Sequence, residues 1–511
     1  MNNKKTIIKN ILSSFFYQAI TIVYGFIVPV LIIKKFGSEV NGLISSIAQF
    51  LAYISLLEGG IGPVIKNALY KPLVEKNKEE VGNILGKANL FFKRISYVLL
   101  AYILFLCIIY PRFINNNYSY LYTVSLILII AIGYFSEYYL GMTYNLFLKS
   151  DQKNYFIDNI NSIGYIVNLF VIVILIKLNC NIQCVKLAGS IIYVIKPIIM
   201  RMYFNKKYNY KINNNSTYKF DKQWDGLIHH IASTVQSSID VILLTIFSNL
   251  TNISIYSVYA LITNGIRALI VSLTNGIDAF FGKTLITQNS EQVRHKFSLY
   301  SFIFYTLTTI LLASTLILIV PFVSVYTKNF VDANYVIPTF AYILVFAEFF
   351  YVIRYPYSTI VYAKGHFKET KIFSIIEPVV NIIISVLLVK KYGLVGVAIG
   401  TLISMPIRTF GFIYYGSTKI LETKFINSLK IIIVSFIEML IVMLFQIFCI
   451  NINIDTYIKW VILAVITVVV ITVFVLLVNT ILFRNDFNDI IKMIRDRKNS
   501  NEKYIWKSHV A

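Results

Sequence analysis

Four positively charged side chains are unusual because they fall inside long apolar stretches of the chain. They are Lys196, Arg267, Arg354 and Arg408. A charge at the centre of a bilayer costs about 2.5–3.5 kcal/mol on insertion scales, so such residues normally face a bundle interior or a water-filled cavity. Guanidinium groups also match phosphate through paired hydrogen bonds. We therefore expect a cationic cavity that binds an anionic substrate.

An ion pair inside the protein is the alternative role for each of these cations. Arg267 shares a helix face with Asp278, eleven positions further along the chain. Arg354 is placed to meet Glu377 on the following apolar stretch. The sequence leaves both interpretations open.

Carboxylates inside the apolar stretches form the complementary set. The candidates for ion coupling are Glu58, Asp240 and Asp278. A desolvated carboxylate is neutralised by a proton or a bound cation, so Na⁺ and H⁺ are the expected coupling ions. Glu58 is the first choice because the glycines that follow it allow a backbone or ligand to approach closely. Close packing of helices at those glycines is the alternative.

The sequence contains none of the common motifs of catalytic sites. It has no phosphate-binding glycine loop, no H-E-x-x-H, no nucleophile elbow and no paired carboxylates in a loop that would suggest hydrolysis or glycosyl transfer. Its 4 cysteines are too few for a disulfide framework and lack metal-ligand spacing with histidine. We expect a transporter rather than an enzyme, with no cofactor and no resident metal.

The elements that must position these side chains are membrane-spanning helices. Of the 511 residues, 57% are hydrophobic and only 14% are charged, with a mean hydropathy of +0.70. Apolar runs of roughly 20 residues, each long enough to cross a bilayer as a helix, recur throughout the chain and predict an all-α membrane protein with about fourteen spans. The predicted spans are 11–33, 42–65, 95–111, 121–148, 156–176, 187–204, 227–248, 254–282, 298–325, 335–361, 371–389, 394–416, 430–450 and 458–482.

The distribution of basic residues predicts the orientation of these spans. An even number of spans places both termini on one side, and that side carries about three quarters of the 47 Lys and Arg residues. The positive-inside rule makes this side cytoplasmic, which predicts a multi-pass membrane protein with both termini in the cytoplasm. The basic residues lie in loops rather than on one folded face, so the net charge of +23 does not indicate a nucleic-acid partner.

The chain matches itself when it is shifted by about 210 residues. The matches pair 57–61 with 273–277, 135–139 with 346–350, Val167-Asn168 with Val380-Asn381, and Pro197 with Pro406. Each repeat holds six spans, so both halves insert the same way up and are related by an axis along the membrane normal. Two such bundles can rock around a central cavity, as transporters do.

The repeat and the charge pattern predict five regions. They are an N-terminal six-helix lobe at 1–205, a cytoplasmic linker at 206–225, a C-terminal six-helix lobe at 226–417, two additional helices at 418–482 and a basic cytoplasmic tail at 483–511. In the tail, Phe483, Phe487 and Ile490 recur at helical spacing among basic residues, which fits a helix lying on the anionic inner surface. A solvated tail is the alternative.

Five short motifs resemble those of the polysaccharide transporter branch of the multidrug/oligosaccharidyl-lipid/polysaccharide exporter superfamily. They are Lys35-Phe-Gly37, Asn41-Gly42, Leu57-Glu-Gly-Gly-Ile-Gly62, Ser238-Ile-Asp240-Val-Ile and Tyr392-Gly393-Leu-Val-Gly396. The resemblance extends over essentially the whole chain through the layout of its spans. It implies a pair of helical lobes around a cationic cavity.

The resemblance also implies a function. Members of this branch flip undecaprenyl-diphosphate-linked oligosaccharides from the inner to the outer leaflet by alternating access, for cell-surface polysaccharide synthesis. The expected partners are that lipid-linked glycan, membrane lipid, and the polymerase and glycosyltransferases of the same pathway. Relatives that flip the peptidoglycan precursor carry basic residues in the first two spans, whereas here those spans contain none apart from their ends. This difference disfavours a peptidoglycan precursor and favours an O-antigen, capsule or teichoic-type unit. The alternative is an ion-coupled multidrug efflux antiporter of the same superfamily.

Paired reporter fusions test the predicted topology. Alkaline phosphatase is active only outside the cytoplasm, so we expect activity when it is fused after Asn249 and none when it is fused after Asn214. A fluorescent protein that matures only in the cytoplasm should give the opposite pattern at the same two positions. Phosphatase activity at both positions would contradict the predicted orientation.

Overall fold

The computed structural model describes residues 3–58, 60–114, 118–208, 210–216, 218, 220, 224–272, 274, 277–449 and 454–492. Within these residues every regular element is a helix, which confirms the predicted all-α fold class. The α-helices are α1 (Asn3–Phe36), α2 (Ser38–Ala52), α3 (Ile61–Glu75), α4 (Lys78–Phe113), α5 (Tyr120–Ser136), α6 (Met142–Ser150), α7 (Asn154–Lys177), α8 (Ile182–Lys207), α9 (Trp224–Phe247), α10 (Leu250–Ser272), α11 (Ile277–Thr287), α12 (Ser290–Tyr326), α13 (Pro338–Ile353), α14 (Tyr355–Ala363), α15 (Phe367–Tyr415), α16 (Phe425–Cys449) and α17 (Tyr457–Leu482).

Within the described residues, 13 helical segments are long and apolar enough to cross a membrane. The segment Phe367–Ile420 contains 54 residues, which at about 1.5 Å per residue is more than twice the thickness of a hydrocarbon core. It is interrupted at Gly393, whose φ of 52° and ψ of −124° lie outside the helical region. Counting its two halves as separate spans gives the number predicted from hydropathy.

The helices extend beyond the apolar runs that mark them in the sequence. The predicted connection between the second and third spans is helical over most of its length, in α3 and the start of α4. The side chain of Asn77 accepts a hydrogen bond from the backbone N–H of Glu80 at 3.1 Å and so caps α4. The predicted span 254–282 is divided, because α10 ends at Ser272 and α11 begins at Ile277. Hydropathy detects only the apolar part of a helix, and capping side chains set its ends.

The predicted linker at 206–225 contacts α4 where the structure describes it. The backbone N–H of Asn213 donates to the carbonyl oxygen of Gly82 at 3.1 Å. The Asn213 side chain also donates to Asn83 Oδ1 at 2.7 Å. This part of the connection therefore has fixed hydrogen-bond partners instead of running free in solvent.

The described part of the C-terminal tail is helical from residue 484 to residue 492. Ser298 Oγ donates to Asp486 Oδ1 at 2.7 Å, and the rings of Phe302 and Phe483 are in contact. Residues 493–511, with the remaining basic residues of the tail, lie outside the described part of the chain. Attachment of this tail to a lipid surface stays a prediction.

The chain forms two compact units. The first unit comprises Met1–Leu261, Phe330–Ala333 and Ile382–Val397, and the second comprises Ile262–Asn329, Asn334–Asn381 and Ala398–Ala511. The predicted lobes and the six-helix repeat stay predictions, and residues 273, 275 and 276 of one repeat match lie outside the described residues.

In the first unit, α1 packs along α7, while α5 and α7 pack against α8. The contact between α2 and α9 is polar, because the hydroxyl oxygens of Ser46 and Thr245 lie 2.6 Å apart. Nearby, Asn41 Nδ2 donates to Ser254 Oγ at 2.8 Å. Lipid offers no such partners, so small polar side chains stabilise contacts between membrane helices.

In the second unit, α12 is the central helix and contacts α13, α16 and α17. Trp460 Nε1 donates to the carbonyl oxygen of Leu318 at 3.2 Å. Asn479 Nδ2 donates to Thr306 Oγ1 at 3.1 Å. These bonds attach α17 to α12 within the second unit.

Gly42 is required by the close approach of α2 to the start of α10. A Cβ atom at this position would lie 1.8 Å from the carbonyl oxygen of Leu250, which is backbone and cannot move away cheaply. We expect Gly42→Ala to destabilise the protein by at least about 1–3 kcal/mol, measured as a lower unfolding temperature in detergent. Gly265→Ala is the matched control, because its Cβ meets nothing within 4 Å. Equal unfolding temperatures for the two variants would contradict this packing.

Candidate functional site

Two of the four cations predicted from the sequence share one carboxylate. Arg354 Nη1 donates to Glu377 Oε1 at 3.0 Å, and Arg408 Nη1 donates to Glu377 Oε2 at 3.1 Å. Glu377 and Arg408 lie in α15 on opposite sides of the break at Gly393, and Arg354 joins α13 to α14. The side chains are 7%, 4% and 0% exposed for Arg354, Arg408 and Glu377. The ion pair of Arg354 with Glu377, left open by the sequence, is therefore present.

Arg267 forms a second ion pair, with Glu348. Its Nε donates to Oε1 at 2.7 Å and its Nη2 donates to Oε2 at 2.5 Å, which is the two-pronged arrangement of a guanidinium with a carboxylate. Glu348 is 3% exposed and Arg267 is 26% exposed, so the arginine is the more accessible partner. The side chain of Asp278, the partner suggested by the sequence, lies outside the described residues.

Tyr351 lies between the two ion pairs. Its ring centroid is 3.9 Å from Arg267 Cζ and 4.1 Å from Arg354 Cζ, so one ring contacts two cations. Sequence reasoning missed this residue, although a signal was present. Glu348, Tyr351 and Arg354 recur at intervals of three residues, which places them along one helix face.

These six residues form the arginine cluster: Arg267, Glu348, Tyr351, Arg354, Glu377 and Arg408. Its three guanidinium groups and two carboxylates carry a formal charge of one positive unit. Within the described residues, Arg354 donates one hydrogen bond, whereas a guanidinium has about five N–H donors. A buried excess of cation is costly unless an anion balances it. Phosphate supplies both the charge and the acceptors, so the cluster is suited to bind a phosphate-bearing ligand.

Lys196 belongs to the first unit, whereas the three arginines belong to the second. Its Nζ lies 4.8 Å from the ring centroid of Tyr165 and 4.4 Å from that of Tyr193. Among the described residues no carboxylate lies within 4.0 Å of this ammonium group, although Glu137 is close enough to influence it electrostatically. Tyr193 precedes Lys196 by one helical turn, a spacing that sequence reasoning overlooked.

Two of the three predicted coupling carboxylates have described side chains, and each accepts a hydrogen bond from a tyrosine. Glu58 accepts a hydrogen bond from Tyr138 Oη at 2.6 Å. Asp240 is buried and accepts one from Tyr256 Oη at 3.1 Å. Within the described residues no three His, Cys, Asp or Glu side chains are grouped to hold a metal ion. Roles for Glu58, Asp240 and Asp278 in binding Na⁺ or H⁺ stay predictions.

Glu377→Gln tests the shared ion pair. It removes the only negative charge between Arg354 and Arg408 in the arginine cluster, so we expect a loss of stability of about 3–5 kcal/mol. The unfolding temperature of the purified protein in detergent measures this effect. Glu75→Gln is the control, because its pair with Lys71 joins side chains that are 50% and 82% exposed and contributes little. An unchanged unfolding temperature for Glu377→Gln would contradict the arrangement.

Comparison with known proteins gives matches only at the level of structure. No protein-family model matches the sequence, and no curated protein matches it. The fold is similar to "Lipid II flippase MurJ, inward closed conformation", with a TM-score of 0.66 and 16% identity over 94% of this chain and 99% of that chain. It is also similar to an inward-facing "multidrug resistance MATE family transporter of the MOP superfamily", with a TM-score of 0.63 and 12% identity over 79% of this chain and 95% of that chain.

A third solved structure adds a difference in charge within the same fold. It is a MOP superfamily transporter from Pyrococcus furiosus Vc1 described by the "reverse polarity of binding pocket", with a TM-score of 0.56 and 13% identity over 82% of this chain and 97% of that chain. The second and third of these structures are described as transporters of the MOP superfamily. The chain is therefore a multi-pass membrane protein with the fold shared by MurJ and the MATE transporters.

Proposed function

We propose that this protein is a flippase that moves an undecaprenyl-diphosphate-linked oligosaccharide from the inner to the outer leaflet of the bacterial inner membrane. The observation that carries the proposal is the positive charge of the arginine cluster, in which three guanidinium groups face two carboxylates. The fold supports it, because a lipid II flippase has the same fold over nearly its whole length. Both termini are cytoplasmic in this proposal, and the glycan serves cell-surface polysaccharide synthesis.

The arginine cluster suggests how a diphosphate would be held. Arg267 is the most accessible of the three arginines, and its guanidinium is the first that an incoming phosphate meets. Phosphate oxygens compete with Glu348 for the same N–H donors and accept from Arg354 donors that have no partner among the described residues. The polyprenyl tail stays in lipid, so the protein needs polar groups only for the diphosphate and the sugars.

Alternating access completes the mechanism that we propose. A diphosphate bound at the arginine cluster supplies the negative charge that the cluster lacks, so the loaded protein can change conformation without exposing an unpaired cation to lipid. Movement of Na⁺ or H⁺ at the carboxylates Glu58, Asp240 or Asp278 would drive the cycle. The polymerase and glycosyltransferases of the glycan pathway are the expected partners before and after transport.

Multidrug efflux by an ion-coupled antiporter is the second candidate, since a MATE transporter shares the fold. An organic cation requires a site with an excess of negative charge. In the arginine cluster both carboxylates already bind arginine, so the site offers a cation no free partner among the described groups. The sign of the charge therefore favours the flippase.

Transport in proteoliposomes tests the proposal. The double variant Arg267→Gln with Glu348→Gln removes an ion pair without leaving either partner charged. We expect it to retain its unfolding temperature to within a few degrees but to lose outward movement of an undecaprenyl-diphosphate-linked sugar by roughly tenfold or more, because charge-assisted hydrogen bonds to phosphate are lost. The matched control is Arg294→Gln with Glu422→Gln, an exposed pair in the same unit.

Two outcomes would overturn this function. Unchanged sugar movement in the Arg267/Glu348 double variant would remove the arginine cluster from the mechanism. A wild-type protein that exports a cationic dye and leaves the lipid-linked sugar in place would establish the efflux alternative.

A further inference from the structure

Two asparagines at matched positions of the repeat have different surroundings. Asn168 lies in α7 of the first unit, and Asn381 lies 213 positions later in α15 of the second. Asn381 Oδ1 accepts a hydrogen bond from Thr401 Oγ1 at 3.5 Å. The residue packed on Asn168 is Gly189, where a Cβ would lie 3.1 Å from Asn168 Oδ1. A hydroxyl donor in the second unit thus corresponds to a glycine in the first.

The cations near these asparagines also differ in their partners, with a side chain in the second unit and a glycine in the first. Arg408 and Lys196 are 212 positions apart, the same interval that separates Thr401 from Gly189. Arg408 donates to Glu377, but the position 213 residues before Glu377 is Gly164. A Cβ on Gly164 would lie 2.4 Å from Lys196 Cε, so the lysine side chain lies directly over this glycine. A carboxylate in the second unit thus also corresponds to a glycine in the first.

Because Gly164 and Gly189 carry no side chain, Lys196 and Asn168 lack the partners that Arg408 and Asn381 have. Lys196 is 8% exposed and has no carboxylate within 4.0 Å among the described residues. Asn168 is 3% exposed, and its Oδ1 has no hydrogen-bond donor in the described structure. Burying such groups without partners is costly, so a ligand that supplies the missing partners gains that energy.

Tyrosines provide the remaining surface of this site. Tyr24 Oη accepts a hydrogen bond from Asn168 Nδ2 at 2.9 Å, and its ring centroid is 4.7 Å from that of Tyr165. Tyr165 and Tyr193, which hold the Lys196 ammonium, are both half-buried and so retain accessible ring surface. Aromatic faces pack against the apolar C–H faces of sugar rings while hydroxyl groups bind at the edges.

We propose that Lys196, Asn168, Tyr165 and Tyr193 form a binding site in the first unit for an acidic sugar of the transported glycan. The sugar carboxylate takes the place of Glu377 and accepts from the Lys196 ammonium. A sugar hydroxyl takes the place of the Thr401 hydroxyl and donates to Asn168 Oδ1.

The spacing of the two groups suits one sugar residue. Gly164 and Asn168 are four residues apart on α7, so the carboxylate and hydroxyl positions are separated by about one helical turn, near 5–6 Å. A carboxyl group and a hydroxyl on opposite sides of a pyranose ring span a comparable distance. This inference rests on the proposed function and adds to it a class of glycan, one that carries a carboxylate.

Two substitutions of equal size at Gly164 separate charge from bulk. Gly164→Glu places a carboxylate beside Lys196, as Glu377 stands beside Arg408, and Gly164→Gln places an uncharged side chain of the same shape there. Both displace only the flexible end of Lys196. Lys196→Gln and Lys196→Arg form a second matched pair at the cation itself.

The experiment compares two probes in proteoliposomes: undecaprenyl-diphosphate-linked disaccharides that end in glucuronic acid or in glucose. We expect the wild type to move the acidic probe roughly tenfold faster than the neutral one, because a charge-assisted hydrogen bond distinguishes them. Gly164→Glu and Lys196→Gln should reduce this ratio to about one, whereas Gly164→Gln and Lys196→Arg should keep most of it.

Four results would contradict the inference, and they differ in what they exclude. A wild-type ratio of about one, or a ratio preserved in Gly164→Glu, would show that this site does not bind an acidic sugar. If Lys196→Gln reduced the transport of both probes equally, Lys196 would be assigned to the diphosphate that the two probes share. If the wild type moved neither probe, the proposed flippase function itself would fail.

Discussion

The cost of leaving a charge without a partner inside a membrane protein determines most of what is specific in this molecule. Long helices can bury apolar side chains in many arrangements, but a guanidinium group needs a carboxylate, an aromatic face or a ligand. In the second unit, Glu348 and Glu377 satisfy that requirement for three arginines. They do so with one positive charge left over, and this excess is the basis for the anionic substrate that we propose.

The first unit responds to the same constraint in a different way. Lys196 is buried like Arg354 and Arg408, but tyrosine rings surround it and no carboxylate lies within 4.0 Å among the described residues. A lysine in such a setting is a compact point charge with three donors and a flexible stem, so it can adapt to a small anionic group. The two units therefore offer different recognition chemistry, with planar guanidinium groups in one and an ammonium group among aromatic rings in the other. The lipid-linked glycan that we propose as the substrate has both a diphosphate and sugars, and such a division would suit it.

The sequence predicted the elements of the fold better than their ends or their contacts. Apolar runs identified the spans because length and composition alone determine whether a helix can cross lipid. The ends at Ser272 and Lys78 were missed, since local capping and a short interruption set them and neither changes the hydropathy. The isolated cations were recognised because charge inside an apolar run is rare. The partners of these cations were harder to predict. Glu348 is 81 residues from Arg267 in the sequence, and only helix packing decides which of several carboxylates Arg267 contacts. Contacts at helical spacing, such as that of Tyr351 with Arg354, were accessible from the sequence but hidden by the abundance of tyrosine.

The position of Tyr351 between Arg267 and Arg354 makes the two ion pairs interdependent. If Arg267 moved away from Glu348, the Tyr351 ring would keep only its contact with Arg354, and the repulsion between the two guanidinium groups would fall. The accessible Arg267 and the buried Arg354 therefore share one aromatic neighbour, so a change at either guanidinium alters the electrostatic surroundings of the other.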